Sequence, residues 1–202
     1  MDFEIKAAAN EDVGIVGDMF AAHLDEQFSI DPYAAPNKAF DPRWFIEAMM
    51  NPPVNMIFIA VQNGEIIGFA RLGVLYGEGL IPLASGVRRT ESSYLKRIPV
   101  IILGKLRGIL DRMIAKFETR RTIGNMAMPT KRGYIADMYV ISEMRRKGVG
   151  KALLDASMKW FSSVGLTMVD LQYLWENEAG KNFWESNGFA NYRVTARKTA
   201  GS

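Results

Sequence analysis

A basic, glycine-containing turn between an apolar run and an amphipathic pattern is the feature that most constrains how this chain can fold. The apolar run covers residues 134–140 and predicts a buried strand, and the pattern that begins at Val149 predicts a helix. Gly148 and Gly150 lack a Cβ atom, so the backbone between strand and helix can approach a ligand closely. The first N–H groups of a helix are unpaired, and the helix dipole is positive at that end. The arrangement therefore predicts a site for an anion such as a phosphate.

Four basic residues surround this turn, namely Arg145, Arg146, Lys147 and Lys151. Their charge favours an anion, but an ordinary solvated loop of the same composition is the alternative. The turn is not the dinucleotide-binding fingerprint, which has the spacing G-x-G-x-x-G, and it is not a P-loop, which ends in G-K-S/T. The residues alone therefore indicate phosphate binding without identifying the ligand.

Two separated motifs resemble those of the GNAT superfamily of N-acetyltransferases. Arg145, Gly148 and Gly150 fit the first motif, Q/R-x-x-G-x-G/A. Residues 177–189 resemble the second motif, N-x-x-A-x-x-F-Y-x-x-x-G-F. The resemblance is strong over residues 131–198 and diffuse nearer the N-terminus.

The resemblance implies how acetyl-coenzyme A (acetyl-CoA) would be held. In the family, backbone N–H groups of the turn bind the pyrophosphate, and a backbone N–H of the preceding strand holds the acetyl carbonyl. The first residue of the second motif, Asn177, is then expected to hydrogen-bond the coenzyme arm. The predicted coenzyme-binding residues are Met138, Tyr139, Val140, Arg145, Arg146, Lys147, Gly148, Val149, Gly150, Lys151 and Asn177.

The resemblance also implies a reaction, which is transfer of an acetyl group to a primary amine by direct attack in a ternary complex. Such a transfer needs a base that removes a proton from the ammonium. Asp137 is the predicted catalytic base, acting directly or through a water. It is an acidic residue inside an otherwise apolar or aromatic strand, where a carboxylate usually has a specific role. A hydrogen-bonded structural acid and a clamp for the substrate ammonium are the alternatives. The acceptor can be a small molecule or a protein amine.

The second motif departs from the family pattern at two positions. Gly180 replaces the usual alanine, and Trp184 replaces a tyrosine that protonates the departing thiolate in many members. An indole N–H donates a hydrogen bond but no proton. Either solvent protonates the thiolate, whose pKa of about 8.5 permits this, or Tyr139 or Tyr173 does so. A non-catalytic module that binds acetyl-CoA as a sensor or scaffold is the alternative to an enzyme.

The composition excludes several other kinds of site. The chain has no cysteine, and therefore no disulfide, thiolate metal site or cysteine nucleophile. Its one histidine, His23, is expected to be a surface or partly buried helix residue without a catalytic role, and we expect no metal cofactor. The N-terminus lacks a signal-peptide pattern, and no run reaches about 18 apolar residues. We therefore expect a cytoplasmic protein without a transmembrane segment.

The pattern of elements and the resemblance together predict an α/β fold of the GNAT type. This fold is a mixed, mostly antiparallel twisted sheet with helices on both faces, with a helical insertion before the strand that leads into the turn. We expect a single domain over residues 1–202, with the basic insertion at about 76–130. Asn63 and Gly64 predict a type I′ hairpin turn, and Gly165 predicts the end of the helix after the turn. The predicted strands cover residues 3–7, 56–61, 66–72, 134–140, 168–174 and 189–194, and the predicted helices begin near Asn10, Arg43, Val149 and Glu178.

The insertion lies in the most strongly basic part of the chain. Residues 86–132 contain twelve Lys and Arg against three acidic residues, a local charge of +9, whereas the whole chain has a formal net charge of +3. From Leu95 to Phe117, apolar residues recur three or four positions apart, which predicts an amphipathic helix. Its apolar stripe would cover its own sheet as a lid near the acceptor or form a homodimer contact. Its charge would attract an acidic partner.

Overall fold

The computed structural model describes residues 2–31, 33–34, 37–50, 55–76 and 131–198 of the chain. These residues form five strands and four α-helices. The strands are β1 (Glu4–Ala7), β2 (Asn55–Gln62), β3 (Glu65–Tyr76), β4 (Lys131–Val140) and β5 (Val169–Leu171), and the helices are α1 (Val13–Ile30), α2 (Pro42–Met49), α3 (Val149–Ser163) and α4 (Glu178–Ser186). The predicted basic insertion, with its amphipathic helix, lies outside the described residues.

The strands form one sheet in the order β1-β2-β3-β4-β5. The first four strands pair in antiparallel fashion, and β5 runs parallel to β4. This confirms the predicted mixed, mostly antiparallel sheet. The turn between β2 and β3 consists of Asn63 and Gly64, whose φ angles of 52° and 82° are both positive. Since a type I′ turn requires positive φ at both central residues, the predicted hairpin is confirmed too.

Helices cover both faces of the sheet, as predicted. One face is buried under α1 and α2, with a core of Val16, Met19, Phe20, Ile46, Ile57, Ile59 and Phe69. The other face is buried under α3, with a core that includes Leu72, Ile135, Val149, Leu153, Leu154 and Phe161. Because side chains alternate between the faces along a strand, Tyr139 of β4 contacts the first core, whereas Met138 and Val140 contact the second.

The start of α2 shows why this helix begins where it does. The Asp41 carboxylate accepts hydrogen bonds from the N–H groups of Arg43 and Trp44, and Pro42 occupies the first turn. An aspartate that caps these donors, followed by a proline with a preset φ, favours a helix start. The amphipathic helix then buries Ile46 against the core under α1.

The sheet opens between β4 and β5. In the described chain the two strands pair over three residues each, ending at Ile135 and Leu171, while β4 continues to Val140. Relative to β3, β4 carries one extra residue at Ala136, which is a β-bulge. A bulge bends a strand and increases its twist. Asp137 therefore begins a stretch of β4 whose edge towards β5 is not used in the ladder.

The predicted last strand at residues 189–194 is wrong, because this segment is irregular. It contacts the sheet through side chains, as when Tyr192 Oη donates a hydrogen bond to Asp170 Oδ2 at 3.0 Å. β5 has three residues instead of the predicted seven, so it offers little backbone for another strand to pair with. Val194 is 92% exposed and lacks the half-buried setting in which β-branched residues favour strands.

Candidate active site

The turn between β4 and α3 leaves the first backbone N–H groups of the helix unpaired. Gly148 is the N-cap residue, and its φ of 87° is a left-handed conformation that costs glycine little. No described side chain caps this helix, and the first intrahelical bond runs from the Ala152 N–H to the Gly148 carbonyl at 3.0 Å. The N–H groups of Val149, Gly150 and Lys151 therefore have no intrahelical acceptor. They can bind an anion at the positive end of the helix.

Gly150 connects this turn to the second sequence motif. A Cβ atom placed on Gly150 would meet the ring of Phe183 at 3.4 Å, which is an ordinary contact. Packing within the protein therefore does not require glycine at this position. A ligand that lies against the backbone would require it.

Asn177 lies at the N-terminus of α4. Its Oδ1 accepts a hydrogen bond from the Gly180 N–H at 2.9 Å. A Cβ atom on Gly180 would lie 2.8 Å from the amide nitrogen of Asn177. The glycine that replaces the family's alanine therefore leaves room for the capping side chain, so this departure from the motif has a local structural reason.

The basic residues of the turn differ in what they contact. Arg145 Nη2 lies 2.6 Å from Glu26 Oε1 of α1, and Arg145 Nε donates to the Val140 carbonyl at 2.8 Å. Lys151 forms an ion pair with Asp155 one turn further along α3. The other two basic residues of the turn are exposed. Arg145 therefore fixes the turn to α1 and β4.

The last backbone donors of β4 alternate between β3 and the opening beside β5. The Ile141 N–H donates to the Ile67 carbonyl of β3 at 3.1 Å. Because donors alternate along a strand, the Tyr139 N–H also faces β3, whereas the N–H groups of Met138 and Val140 face away from it. These two donors point into the opening. They are suitably placed to bind a carbonyl oxygen there.

Asp137 lies just beyond the bulge, on the face of the sheet that α1 covers. Its Oδ2 lies 2.6 Å from both Nε and Nη2 of Arg71. The guanidinium of Arg71 also lies over the ring of Phe45, with Cζ 5.0 Å from the ring centre. The exposed fractions of the two side chains are 13% for Asp137 and 14% for Arg71. The carboxylate is therefore largely removed from water, and the arginine balances its charge.

His23 of α1 approaches the other oxygen of Asp137, with 3.7 Å between His23 Nε2 and Asp137 Oδ1. Burial lowers the pKa of the His23 imidazole below its ordinary value of 6.5. The carboxylates of Asp137 and Glu26 oppose this shift, and the guanidiniums of Arg145 and Arg71 add to it. The imidazole is therefore mostly neutral at pH 7.

His23 and Arg71 are absent from the predicted site. His23 follows the buried Phe20 by three positions and so lies on the stripe of α1 that faces the sheet. A titratable residue on a buried stripe is a signal that the sequence contained. Arg71 is a charged residue inside the apolar β3, and the strand register places it directly opposite Asp137. That complementarity becomes visible only when the register is known.

The aromatic residues considered as proton donors occupy different surroundings. Trp184 is a core residue, 9% exposed, and its ring packs edge-on against Phe183. Tyr139 Oη donates to Glu26 Oε1 at 3.3 Å, and burial followed by the charge of Glu26 raises the pKa of the Tyr139 phenol. Tyr173 Oη donates at 2.8 Å to the irregular segment after α4. Of the three, Tyr139 lies beside the cluster formed by His23 and the residues around it.

Within the ranges that the structure describes, His, Cys, Asp and Glu side chains form no group of three or more that could hold a metal ion. The described helices include none with the length and apolar character required to span a bilayer.

Comparisons with known proteins agree with the sequence motifs. The model of the Acetyltransferase (GNAT) family matches residues 102–189. N-alpha-acetyltransferase 30 of Schizosaccharomyces pombe is 34% identical over 64 residues, which cover 32% of this chain and 43% of that protein. The match therefore spans less than half the length of this curated relative.

Solved structures share the fold at low sequence identity. The tetramutant of the BH1408 protein from Bacillus halodurans has a TM-score of 0.62 and is 16% identical, covering 97% of this chain and 99% of that one. Aminoglycoside N-acetyltransferase AAC(6′)-Iy in complex with CoA has a TM-score of 0.59 and is 14% identical, covering 99% and 96%. At these identities the likeness establishes the fold.

Proposed function

Because this chain carries a domain of the GNAT acetyltransferase family, we propose that it transfers the acetyl group of acetyl-CoA to a primary amine by direct attack in a ternary complex. The observation that carries the proposal is the meeting of three features at the end of β4. The first two are the unpaired N–H groups at the start of α3 and the two β4 N–H donors that face the opening. The third is the ionisable cluster of His23, Arg71 and Asp137 under α1.

The coenzyme is proposed to bind along the opening of the sheet. The N–H groups of residues 149–151 bind the pyrophosphate, and the exposed side chains of Arg146 and Lys147 add positive charge around it. The pantetheine arm then runs between β4 and β5 towards Asn177. In this arrangement Gly148 and Gly150 allow the phosphates to lie against the backbone.

The thioester is proposed to lie beside the carboxyl-terminal half of β4. The N–H groups of Met138 and Val140 would bind the acetyl carbonyl oxygen and stabilise the negative charge that develops on it during attack. The acetyl carbon would then be close to Asp137, on the side from which the acceptor approaches. Placing both reactants in one opening supplies the proximity that a ternary mechanism requires.

The acceptor is proposed to be a cationic primary amine, of a small molecule or a protein. It would enter under α1, where the carboxylates of Glu26 and Asp137 attract an ammonium group. Asp137 remains the predicted carboxylate of the proton-transfer step, either removing the proton itself or binding the ammonium while a neighbour accepts the proton. Solvent would protonate the thiolate, since Trp184 cannot.

The non-catalytic acetyl-CoA-binding module is the second candidate. The observation in its favour is that Trp184 is a packed core residue where many family members have a tyrosine. A homodimer or an acidic partner that binds the insertion at about 76–130, a cytoplasmic location and a single domain over residues 1–202 remain proposals based on the sequence.

Calorimetry and a turnover assay test the proposal. The unchanged chain should bind acetyl-CoA, whereas Gly150→Glu should weaken binding at least a hundredfold, because a carboxylate would lie where the phosphates bind. Lys159→Glu, which places a carboxylate on the exposed side of α3 and lowers the net charge by two instead of one, should bind normally. Normal binding by Gly150→Glu contradicts the site.

Release of free thiol with a panel of diamines, aminoglycosides and peptides with a free N-terminus then separates the two candidate functions. Turnover with any of them supports the enzyme. Coenzyme binding without turnover by any amine supports the module.

A further inference from the structure

We propose that the acceptor ammonium binds between Asp137 Oδ1 and His23 Nε2, and that His23 accepts its proton. This inference rests on the proposed acetyl transfer and names the residue that performs its first step. Asp137 then binds and orients the ammonium, and Arg71 positions Asp137. His23 is the catalytic residue of the step.

The geometry of the pair fits one shared donor. Nε2 and Oδ1 lie 3.7 Å apart, which is too far for a direct hydrogen bond. Arg71 occupies Oδ2, while Oδ1 accepts no hydrogen bond from the described residues. An ammonium group has three donors and can bond both atoms at once. Both side chains keep a small exposed fraction, 15% for His23 and 13% for Asp137, so the pair is reachable from outside.

Ordinary basicity favours the imidazole over the carboxylate as the group that accepts the proton. Ordinary imidazoles hold a proton more strongly than ordinary aspartates, with pKa values of about 6.5 and about 3.9. Arg71 Nε and Nη2 both lie 2.6 Å from Asp137 Oδ2, which holds the carboxylate in place beside the imidazole. Burial keeps His23 neutral and able to accept a proton at neutral pH.

The charged groups that face His23 come from four elements of the structure. They are Asp137 of β4, Arg71 of β3, Glu26 of α1 and Arg145 of the turn. When the imidazole takes up a proton, the two carboxylates stabilise the imidazolium. The two guanidiniums destabilise it and so favour its deprotonation. The proton then leaves to solvent, and the base is restored for the next cycle.

The proposed step balances in atoms and charge. The ammonium R–NH₃⁺ gives one proton to His23 Nε2, and the neutral amine attacks the thioester carbon, where a C–N bond forms. The tetrahedral intermediate loses a second proton from nitrogen to solvent, the C–S bond breaks, and the thiolate takes up one proton from solvent. The products are the amide, free CoA and one proton that His23 releases to solvent.

The chain contains a single histidine, which makes the test direct. Protein labelled with carbon-13 at the histidine Cε1, prepared without a histidine tag, gives one imidazole signal that needs no assignment. The midpoint of the change in its chemical shift, in a pH titration of the CoA complex, should lie below pH 6.5. It should also coincide with the acid limb of kcat/KM for the acceptor at saturating acetyl-CoA.

Variants then show which residue causes the acid limb of the kcat/KM profile. His23→Gln should lower kcat by about a hundredfold to ten-thousandfold and remove the limb, with coenzyme affinity and thermal unfolding near those of the unchanged chain. Asp137→Asn should move the midpoint and the limb together to lower pH, because it removes a charge that favours the imidazolium. Asp25→Asn, an exposed change on α1, should alter neither.

Each outcome decides the proposal. A limb that persists in His23→Gln, or that lies far from the imidazole midpoint, overturns the role of His23 and leaves acetyl transfer intact. Absence of turnover in the unchanged chain with every amine overturns acetyl transfer and this inference with it. A His23→Gln protein that fails to fold leaves the comparison of midpoint and limb, together with Asp137→Asn, to decide.

Discussion

At the residue scale, the candidate site consists of opposed charges around one imidazole. The pair of Arg71 and Asp137 is nearly buried, so removing either partner would leave an uncompensated charge in a poorly solvated place. The pair of Arg145 and Glu26 is about half exposed and is correspondingly easier to separate. His23 lies between these two pairs. Its ionisation therefore reports on the charge state of the whole cluster.

The pH dependence of stability should reveal this imidazole. Since the pKa of His23 is lowered in the folded state, the unfolded chain binds more protons at pH values between the folded and unfolded pKa. The stabilisation is therefore complete above pH 6.5 and is lost as the pH falls through the folded pKa. We expect the free energy of unfolding to decline from pH 7 towards pH 5, by at most about 1.4 kcal/mol per pH unit.

Urea denaturation at several pH values measures this decline, and His23→Gln is its control. With no other histidine in the chain, the variant should show a nearly flat free energy of unfolding between pH 7 and pH 5. The pKa values of Asp18, Asp31 and Glu143 are lowered from 3.8, 3.8 and 4.5, so these carboxylates act in a more acidic range. An equal decline in both proteins would show that His23 is not responsible.

At the element scale, α3 lies between two glycines in the left-handed conformation. Gly148 precedes the helix with a φ of 87°, and Gly165 follows it with a φ of 76°. Gly165 donates to the Ser162 carbonyl at 3.0 Å, and Leu166 donates to the Phe161 carbonyl at 2.9 Å, which together satisfy the end of the helix. The predicted helix end at Gly165 is confirmed. The two glycines thus share one backbone requirement at opposite ends of one helix.

This symmetry provides a matched pair of variants. A Cβ atom at either glycine would meet nothing within 4 Å, so the cost of Gly148→Ala and of Gly165→Ala is conformational in both cases. We expect each to lower the free energy of unfolding by about 1–2 kcal/mol, since a left-handed residue with a Cβ atom is strained. Only Gly148→Ala should also weaken acetyl-CoA binding, about tenfold or more, because the open space beside Gly148 is the proposed phosphate site.

Denaturation and calorimetry on the same samples separate the two effects. Gly165→Ala controls for the strain and for any loosening of α3 as a whole. Equal loss of coenzyme affinity in both variants would contradict a phosphate site at the start of α3. Unaltered stability in both would contradict the strain.

At the scale of the whole molecule, charge is distributed unevenly. The formal net charge is +3, while residues 86–132 alone carry +9, so the remainder is net negative. A local field of this strength draws anions and acidic surfaces from solution, and salt screens it. The apolar stripe predicted from Leu95 to Phe117 offers a different kind of contact, which salt affects little. The two kinds of contact can therefore be separated by experiment.

Light scattering of the full chain tests the role of the stripe. If the stripe forms a homodimer, the unchanged chain should be dimeric at both low and moderate ionic strength. Changing Leu106 and Met113 to Glu together should then produce monomers. A matched variant with Lys105 and Arg112 changed to Glu, which lie off the stripe, should stay dimeric and lose only salt-sensitive association.

Other outcomes decide between the remaining hypotheses for the insertion. Monomers in every sample contradict the homodimer. An unaltered range of acceptors in the stripe variant contradicts the lid. Association that disappears with salt and with the change of the two basic residues supports an acidic partner.

Local sequence determined the order of most elements, the β2–β3 hairpin and the glycine turn before α3, and the mixed sheet was predicted from the element pattern together with the family resemblance. Glycines next to an apolar run, an Asn-Gly pair between two apolar strands and an aspartate before a proline act over a few residues, so their effects can be predicted without the fold. Three residues that the structure places beside one another came from separate segments: His23 from a helix, Arg71 from one strand and Asp137 from another. Only Asp137 was evident as a candidate.

Tertiary structure alone determined that these three residues meet, because their contact depends on strand register and on the rotation of α1 about its axis. One step of register between β3 and β4 would move Arg71 to the opposite face from Asp137. The pKa of His23 likewise depends on burial and on charges up to 122 positions away in sequence, such as Arg145. The segment at 189–194 was predicted as a strand but is irregular, and this outcome too depended on a distant part of the chain. A strand needs a partner with free backbone, and the three-residue β5 offers little of it.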